Sequence, residues 1–124
     1  MGGKILIVDE HRFCRVCSAI LKIVGYEAET VTHLDNLPAG INLNDFGLII
    51  TSYPYGHYLL KEIKKKRIPK IIFSDHIDGN LINILRGIDN SYCMIKPLDY
   101  GRFKALVKEV LSGNPNIQRG YNIV

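Results

Sequence analysis

The sequence predicts an α/β fold, a doubly wound five-stranded parallel sheet with helices on both faces, and three observations predict it. Short apolar runs alternate with amphipathic stretches along nearly the whole chain. The runs are continuously apolar, as in strands covered on both sides. Four successive runs end on polar residues, namely Asp9-Glu10, Ser52, Ser74 and Lys96-Pro97. In open parallel sheets, sites form outside the carboxyl ends of the strands, near the point where the winding reverses.

The elements follow in order. Lys4 to Val8 is a buried strand. From His11 to about Val24, Phe13, Val16, Cys17, Ile20, Leu21 and Val24 recur at three- and four-residue spacing and give a helix one apolar face, which Gly25 stops. Glu27 to Val31 alternates as a short second strand. Pro38 and Gly40 interrupt the stretch from Thr32 to Asp45, so a helix there is short or irregular. Leu48 to Thr51 is the third strand, followed by a helix from about His57 to Lys66 with Leu59, Leu60 and Ile63 inward. Lys70 to Phe73 is the fourth strand, Asn80 to Gly87 a helix, and Tyr92 to Ile95 the fifth strand. The last helix runs from about Tyr100 to Leu111 with Phe103, Leu106, Val107, Val110 and Leu111 on one face, closed by Gly113 and Pro115. Strands alternating with helices imply crossover connections and a flavodoxin-like sheet.

At 124 residues the chain fits one domain, residues 1–113, with residues 114–124 as a C-terminal tail or linker, an ordered extra segment or a frayed end. No apolar run reaches the roughly 18 residues that span a bilayer. Met1-Gly2-Gly3-Lys4 leads straight into the first strand, which leaves no signal peptide to expect. Three cysteines without a disulfide pattern suit a reducing compartment, and the expected location is cytoplasmic. The net charge is +4, much of it in Lys61, Lys64, Lys65, Lys66, Arg67 and Lys70. That Lys61–Lys70 stripe reads either as a nucleic-acid or acidic-partner surface or as the solvated end of a helix. No aromatic stacking set or recognition-helix motif accompanies it, so the second reading is preferred.

An acidic pair, a central acceptor position, a hydroxyl and a Lys-Pro at four successive strand ends resemble the receiver domain of two-component response regulators. The resemblance spans about Lys4 to Ser112. It implies a module that takes a phosphoryl group from a histidine kinase onto an aspartate after the third strand. Mg²⁺ would bridge Asp9, Glu10, the acceptor and the phosphoryl oxygens. Lys96 would neutralise charge, the Ser74 hydroxyl would hold the phosphoryl group, and the Lys96-Pro97 bond would be cis. Here the acceptor position is Ser52, a weak nucleophile without an activating base, and cannot form an acyl phosphate. The chain therefore resembles a degenerate pseudo-receiver, a non-enzymatic protein-interaction module of a phosphorelay. Asp9 and Glu10 are left as two carboxylates for a weak Mg²⁺ site, or pair locally, with Lys96 as an ion-pair partner.

Other features depart from the family. The loop after Ser52 reads Tyr53-Pro54-Tyr55-Gly56 and the next helix arrives about one turn early. The loop after Ser74 reads Asp75-His76-Ile77-Asp78. Cys93 stands where the family often has an aromatic switch, and Tyr92 should point to the opposite face. His57 and His76 lie where loops could face the site. A phosphotransfer-competent receiver is the alternative, with Ser52 as a rare hydroxyl acceptor or Asp75 or Asp78 as a substitute carboxylate, although such loop carboxylates are more often turn residues or helix caps. In the family the fourth helix, fifth strand and fifth helix transmit output and often dimerise. Here that face would include Leu81, Leu85, Tyr92 and Phe103 or neighbours, for a histidine kinase, an effector or a second copy. Cys14 and Cys17 form a CxxC inside the first helix, where packing is preferred over redox or metal chemistry.

Overall fold

The structure, a computed structural model, describes residues 4–32, 38–64, 66–112 and 120–124. Its elements are β1 (Lys4–Val8), α1 (His11–Ile23), β2 (Ala28–Val31), β3 (Phe46–Ser52), α2 (His57–Ile63), β4 (Lys70–Ser74), α3 (Gly79–Leu85), β5 (Ser91–Ile95), α4 (Tyr100–Leu111) and β6 (Tyr121–Ile123), with a 3-10 turn at Leu43–Asp45. All strands run parallel in the order β2-β1-β3-β4-β5-β6. The doubly wound α/β reading holds, but the sheet has six strands where five were expected. The sixth lies in the segment 114–124. The irregular second helix falls partly on residues 33–37, outside the described residues.

Side-chain alternation along the buried strands divides the core into two layers. On one face Ile5, Ile7, Ile50 and Phe73 meet Cys17 and Leu21 of α1 and Phe103 and Val107 of α4. On the other, Leu6, Val8, Ile49 and Ile72 meet Leu59, Leu60 and Ile63 of α2 and Leu81 and Leu85 of α3. Burying one such side chain is worth about 1.5–3 kcal/mol, so both layers contribute. Cys93 and Tyr92 pack on opposite layers, as alternation requires.

The predicted faces need three corrections. On α1 the buried residues are Cys14, Cys17, Ile20 and Leu21, while Val16 is 46% and Val24 39% exposed. Cys14 turns in because it sits over the end of β1, its thiol 3.3 Å from the Asp9 carbonyl oxygen. Leu81, Leu85 and Phe103 are fully buried and offer nothing to a partner. Lys70 is fully buried as well, so it leaves the basic stripe. Its ammonium donates to the carbonyl oxygens of Lys66 and Asp89. Burial pushes its pKa down to about 8. Lys61, Lys64 and Arg67 are exposed, and Lys65 lies outside the described residues.

Helix ends follow side-chain chemistry. Asp78 accepts from the Leu81 amide at 2.9 Å and caps α3, and Asp99 accepts from the Arg102 amide at 3.0 Å and caps α4. Gly25, at φ +93°, closes α1 in a left-handed conformation that its missing Cβ allows. No helix among the described residues is long and apolar enough to cross a membrane.

Candidate functional site

Strand register brings the predicted residues together. Val8 pairs with Thr51 and Ser52 with Phe73, so Asp9, one step beyond Val8, emerges beside Ser52. Ser74 pairs with Ile95, and the Lys96 amide donates to the Ser74 carbonyl oxygen at 2.8 Å. A cavity of about 270 Å³ at these strand ends is lined by Asp9, Glu10, Ser52, Tyr53, Pro54, Tyr55, Asp75 and Lys96. The other hollows described, about 410 and 380 Å³, flank Tyr26 at the far end of α1 and hold none of the strand-end residues.

Asp9 is fully buried. Its Oδ1 accepts from the Glu10 amide at 2.8 Å, while Oδ2 has no hydrogen-bond partner. Desolvation raises its pKa above the ordinary carboxylate value, opposed by the neighbouring Ser52 hydroxyl, the Glu10 amide and the Lys96 charge. Ser52 is 2% exposed. The Ser74 hydroxyl turns away from the cavity and donates to the His76 carbonyl oxygen at 2.8 Å.

Lys96 makes no ion pair within 4 Å among the described residues. Its ammonium sits 4.3 Å from the centroid of the Phe13 ring, a cation–π contact. Phe13 in turn meets the Phe73 ring edge-on at 4.9 Å. The expected pairing with Asp9 or Glu10 is thus replaced by a contact with α1, an aromatic role for Phe13 that helical periodicity alone reads as core. The Lys96-Pro97 bond is cis, and so is Tyr53-Pro54.

The loop after β3 closes tightly. The Gly56 amide donates to the Ser52 carbonyl oxygen at 2.7 Å, and the Tyr53 amide donates to the Phe73 carbonyl oxygen at 2.8 Å. The Tyr55 hydroxyl donates to the Thr32 carbonyl oxygen at 2.8 Å. Because β1 lies between β2 and β3, this bond passes over the end of β1, where Asp9 and Glu10 stand. Neither histidine faces the cavity. His57 begins α2 with its ring 5.7 Å from that of Tyr53, and His76 pairs with Asp78 at 3.1 Å. Asp78 is thereby committed to His76 and to its cap, whereas Asp75 reaches the cavity wall.

Three solved structures share this architecture. A two-component response regulator from Clostridium difficile superimposes with a TM-score of 0.77 at 23% identity, covering 92% of this chain and 99% of that one. The signal receiver domain of a signal transduction histidine kinase from Syntrophus aciditrophicus gives 0.75 at 24%, covering 92% and 93%. The chain has the receiver-domain fold. NtrX from Brucella abortus, in complex with ATP, gives 0.74 at 27% identity over 90% of this chain. The chain spans only 27% of that protein's length. No family model matches the sequence. No curated protein matches it either.

The resemblance to receiver domains implies Mg²⁺. Asp9 and Glu10 are hard oxygen donors, Ser52 adds a hydroxyl, and the orphaned Asp9 Oδ2 is a buried acceptor that a cation would satisfy. Among the described residues no group of three or more His, Cys, Asp or Glu side chains forms a metal cluster. The donor set fits a cation held by two carboxylates.

Proposed function

We propose that this chain is a receiver-like module of two-component signalling that acts through protein contact, without phosphoryl transfer to residue 52. The observation that carries the reading is Ser52 itself. A buried hydroxyl stands beside Asp9 where the resemblance calls for a carboxylate, and no histidine lines the cavity to activate it. Alcohol attack on phosphorus needs an activating base, and Asp9, the carboxylate beside Ser52, is taken up with the cation in this reading, so Ser52 stands as a polar neighbour of Asp9.

Asp9 and Glu10 would hold Mg²⁺, which supplies positive charge at the strand ends and shields the orphaned carboxylate oxygen. Lys96, held over Phe13, keeps a second positive charge at the cavity wall. This constellation fixes one charge state of the site rather than switching it. The partner is a protein, a histidine kinase or an effector, and the module is not an enzyme.

A second reading rests on Asp75, the one further carboxylate on the cavity wall. It makes Asp75 a substitute acceptor. Incubation with Mg²⁺ and acetyl phosphate followed by intact mass separates the two. An unchanged mass supports the contact module. A gain of one phosphoryl group overturns it. Base-labile label then assigns an acyl phosphate such as Asp75, and acid-stable label assigns Ser52.

A further inference from the structure

β6 differs from every other strand of the sheet. It has three residues, pairing Ser91 with Tyr121, Tyr92 with Asn122 and Cys93 with Ile123. Only Tyr121 packs against a core layer, while Ile123 is 45% and Val124 36% exposed. At its start, Asp89 Oδ1 accepts from the Gly120 amide at 2.8 Å.

The residue that holds it stands on a fixed turn. The Asp89 carbonyl oxygen accepts from the buried Lys70 ammonium at 2.8 Å. Asn90, at φ 57°, donates through its side chain to the Arg67 carbonyl oxygen at 2.8 Å, and its own carbonyl oxygen accepts from the Lys70 amide at 3.0 Å. Lys70 and Asn90 behind the turn are buried and Asp89 itself is exposed, whereas the strand it grips is short and half in water. Segments with few buried apolar contacts open at far lower free energy than the core.

We propose that residues 120–124 are a displaceable strap, latched by Asp89, that opens without unfolding the sheet and exposes the β5 edge to the same segment of a second copy. An uncovered strand edge presents unpaired backbone groups. The segment that fits this edge in register is already known from β6, and exchange of one element between identical chains is a low-cost route to association.

Amide hydrogen exchange on the full chain tests the strap. The Ser91 and Val124 amides, which donate to Gly120 and Cys93 carbonyl oxygens, should exchange at least about tenfold faster than the Ile49 amide in the sheet centre. Asp89→Ala should accelerate them about tenfold further and leave Ile49 unchanged. Asp89→Asn, whose amide oxygen still accepts, should stay within about threefold of the wild type. Equal protection at Ser91, Val124 and Ile49, or loss of Ile49 protection in Asp89→Ala, would overturn the strap.

The second copy is tested by Ile123→Cys, which faces Cys93. With diamide as oxidant and the wild type as control, dilute protein should cross-link within one chain. Protein concentrated and incubated before oxidation should yield a covalent dimer on a non-reducing gel. Intrachain product alone at every concentration overturns the exchange.

Discussion

Gly56 lies against Thr51, so close that a Cβ at residue 56 would stand 1.9 Å from the Thr51 hydroxyl oxygen. That hydroxyl is already engaged, donating to the Val8 carbonyl oxygen at 2.7 Å, and it ties β3 to β1 one residue before the site. The tight loop under Tyr53 and Tyr55 depends on this approach.

Gly56→Ala should therefore destabilise the fold by about 1–3 kcal/mol, the usual cost of forcing a methyl group into a filled space. Thr51→Ala costs about 1 kcal/mol through its lost hydrogen bond. The double variant should be more stable than the sum of the two losses, because removing the hydroxyl vacates the space for the methyl. Urea unfolding of the four proteins measures the coupling, and strict additivity would contradict the contact.

Asp9 should be a site of unrealised stability. Its pKa is raised, so the fold favours the neutral form, and the stability present below the ordinary carboxylate value is lost as pH rises through the folded pKa. Asp9→Asn should flatten that acid-side decline and raise stability at neutral pH by up to about 1 kcal/mol. Mg²⁺ should raise the melting temperature of the wild type and have less effect on the variant. Calorimetry with and without Mg²⁺ across pH reads both.

Ser52→Asp puts a second buried carboxylate beside Asp9. Without a cation the protein should lose about 1–3 kcal/mol, because two like charges then share a poorly hydrated site. Its Mg²⁺ affinity should exceed the wild type's by about tenfold or more, since the added carboxylate attracts the divalent ion directly. Titration calorimetry compares the two affinities, and equal values would mean that residue 52 does not face the cation.

Lys70 sets a slope on the alkaline side. Its folded pKa of about 8 lies below the unfolded value of 10.5. The unfolded chain thus binds more protons between those values, and this group makes stability rise with pH there, by about 3 kcal/mol across the window. The buried thiols act oppositely. Cys14 and Cys93, pushed up to about 11, and Cys17, to about 12, lose stability as pH rises above the ordinary thiol value of 9.0. Lys70→Met should remove the rising component and leave the thiol decline, so the stability of the wild type should rise relative to that of the variant from pH 8 to 10.5. Denaturant midpoints measured along this range check the sign.

Much of the site was legible because a parallel sheet puts every strand end on one edge. Asp9, Ser52 and Lys96 needed only correct strand assignment to fall together, and continuous apolar runs made that assignment secure. What escaped depends on contacts distant in sequence. Lys70 reads as one more cation in a solvated run, and its burial follows from carbonyl oxygens at Lys66 and Asp89 that close around it. Lys96 reads as an ion-pair partner, yet Phe13, one turn into α1, takes it first. β6 is too short for its pattern to stand out, and only the open edge of β5 gives Tyr121–Ile123 an extended shape. Cys14 replaces Val16 on the buried face because α1 leans on the end of β1, a tilt that periodicity does not encode.

The Tyr55–Thr32 bond carries a consequence for traffic at the cavity mouth. The Tyr55 hydroxyl, beside the cavity lined by Asp9 and Glu10, ties the loop after β3 to the backbone that follows β2. A hydrated ion, a few ångströms across, can slip past such a bar, whereas a side chain borne on another protein needs the bar lifted first. The site should thus sort its visitors by bulk before it sorts them by charge.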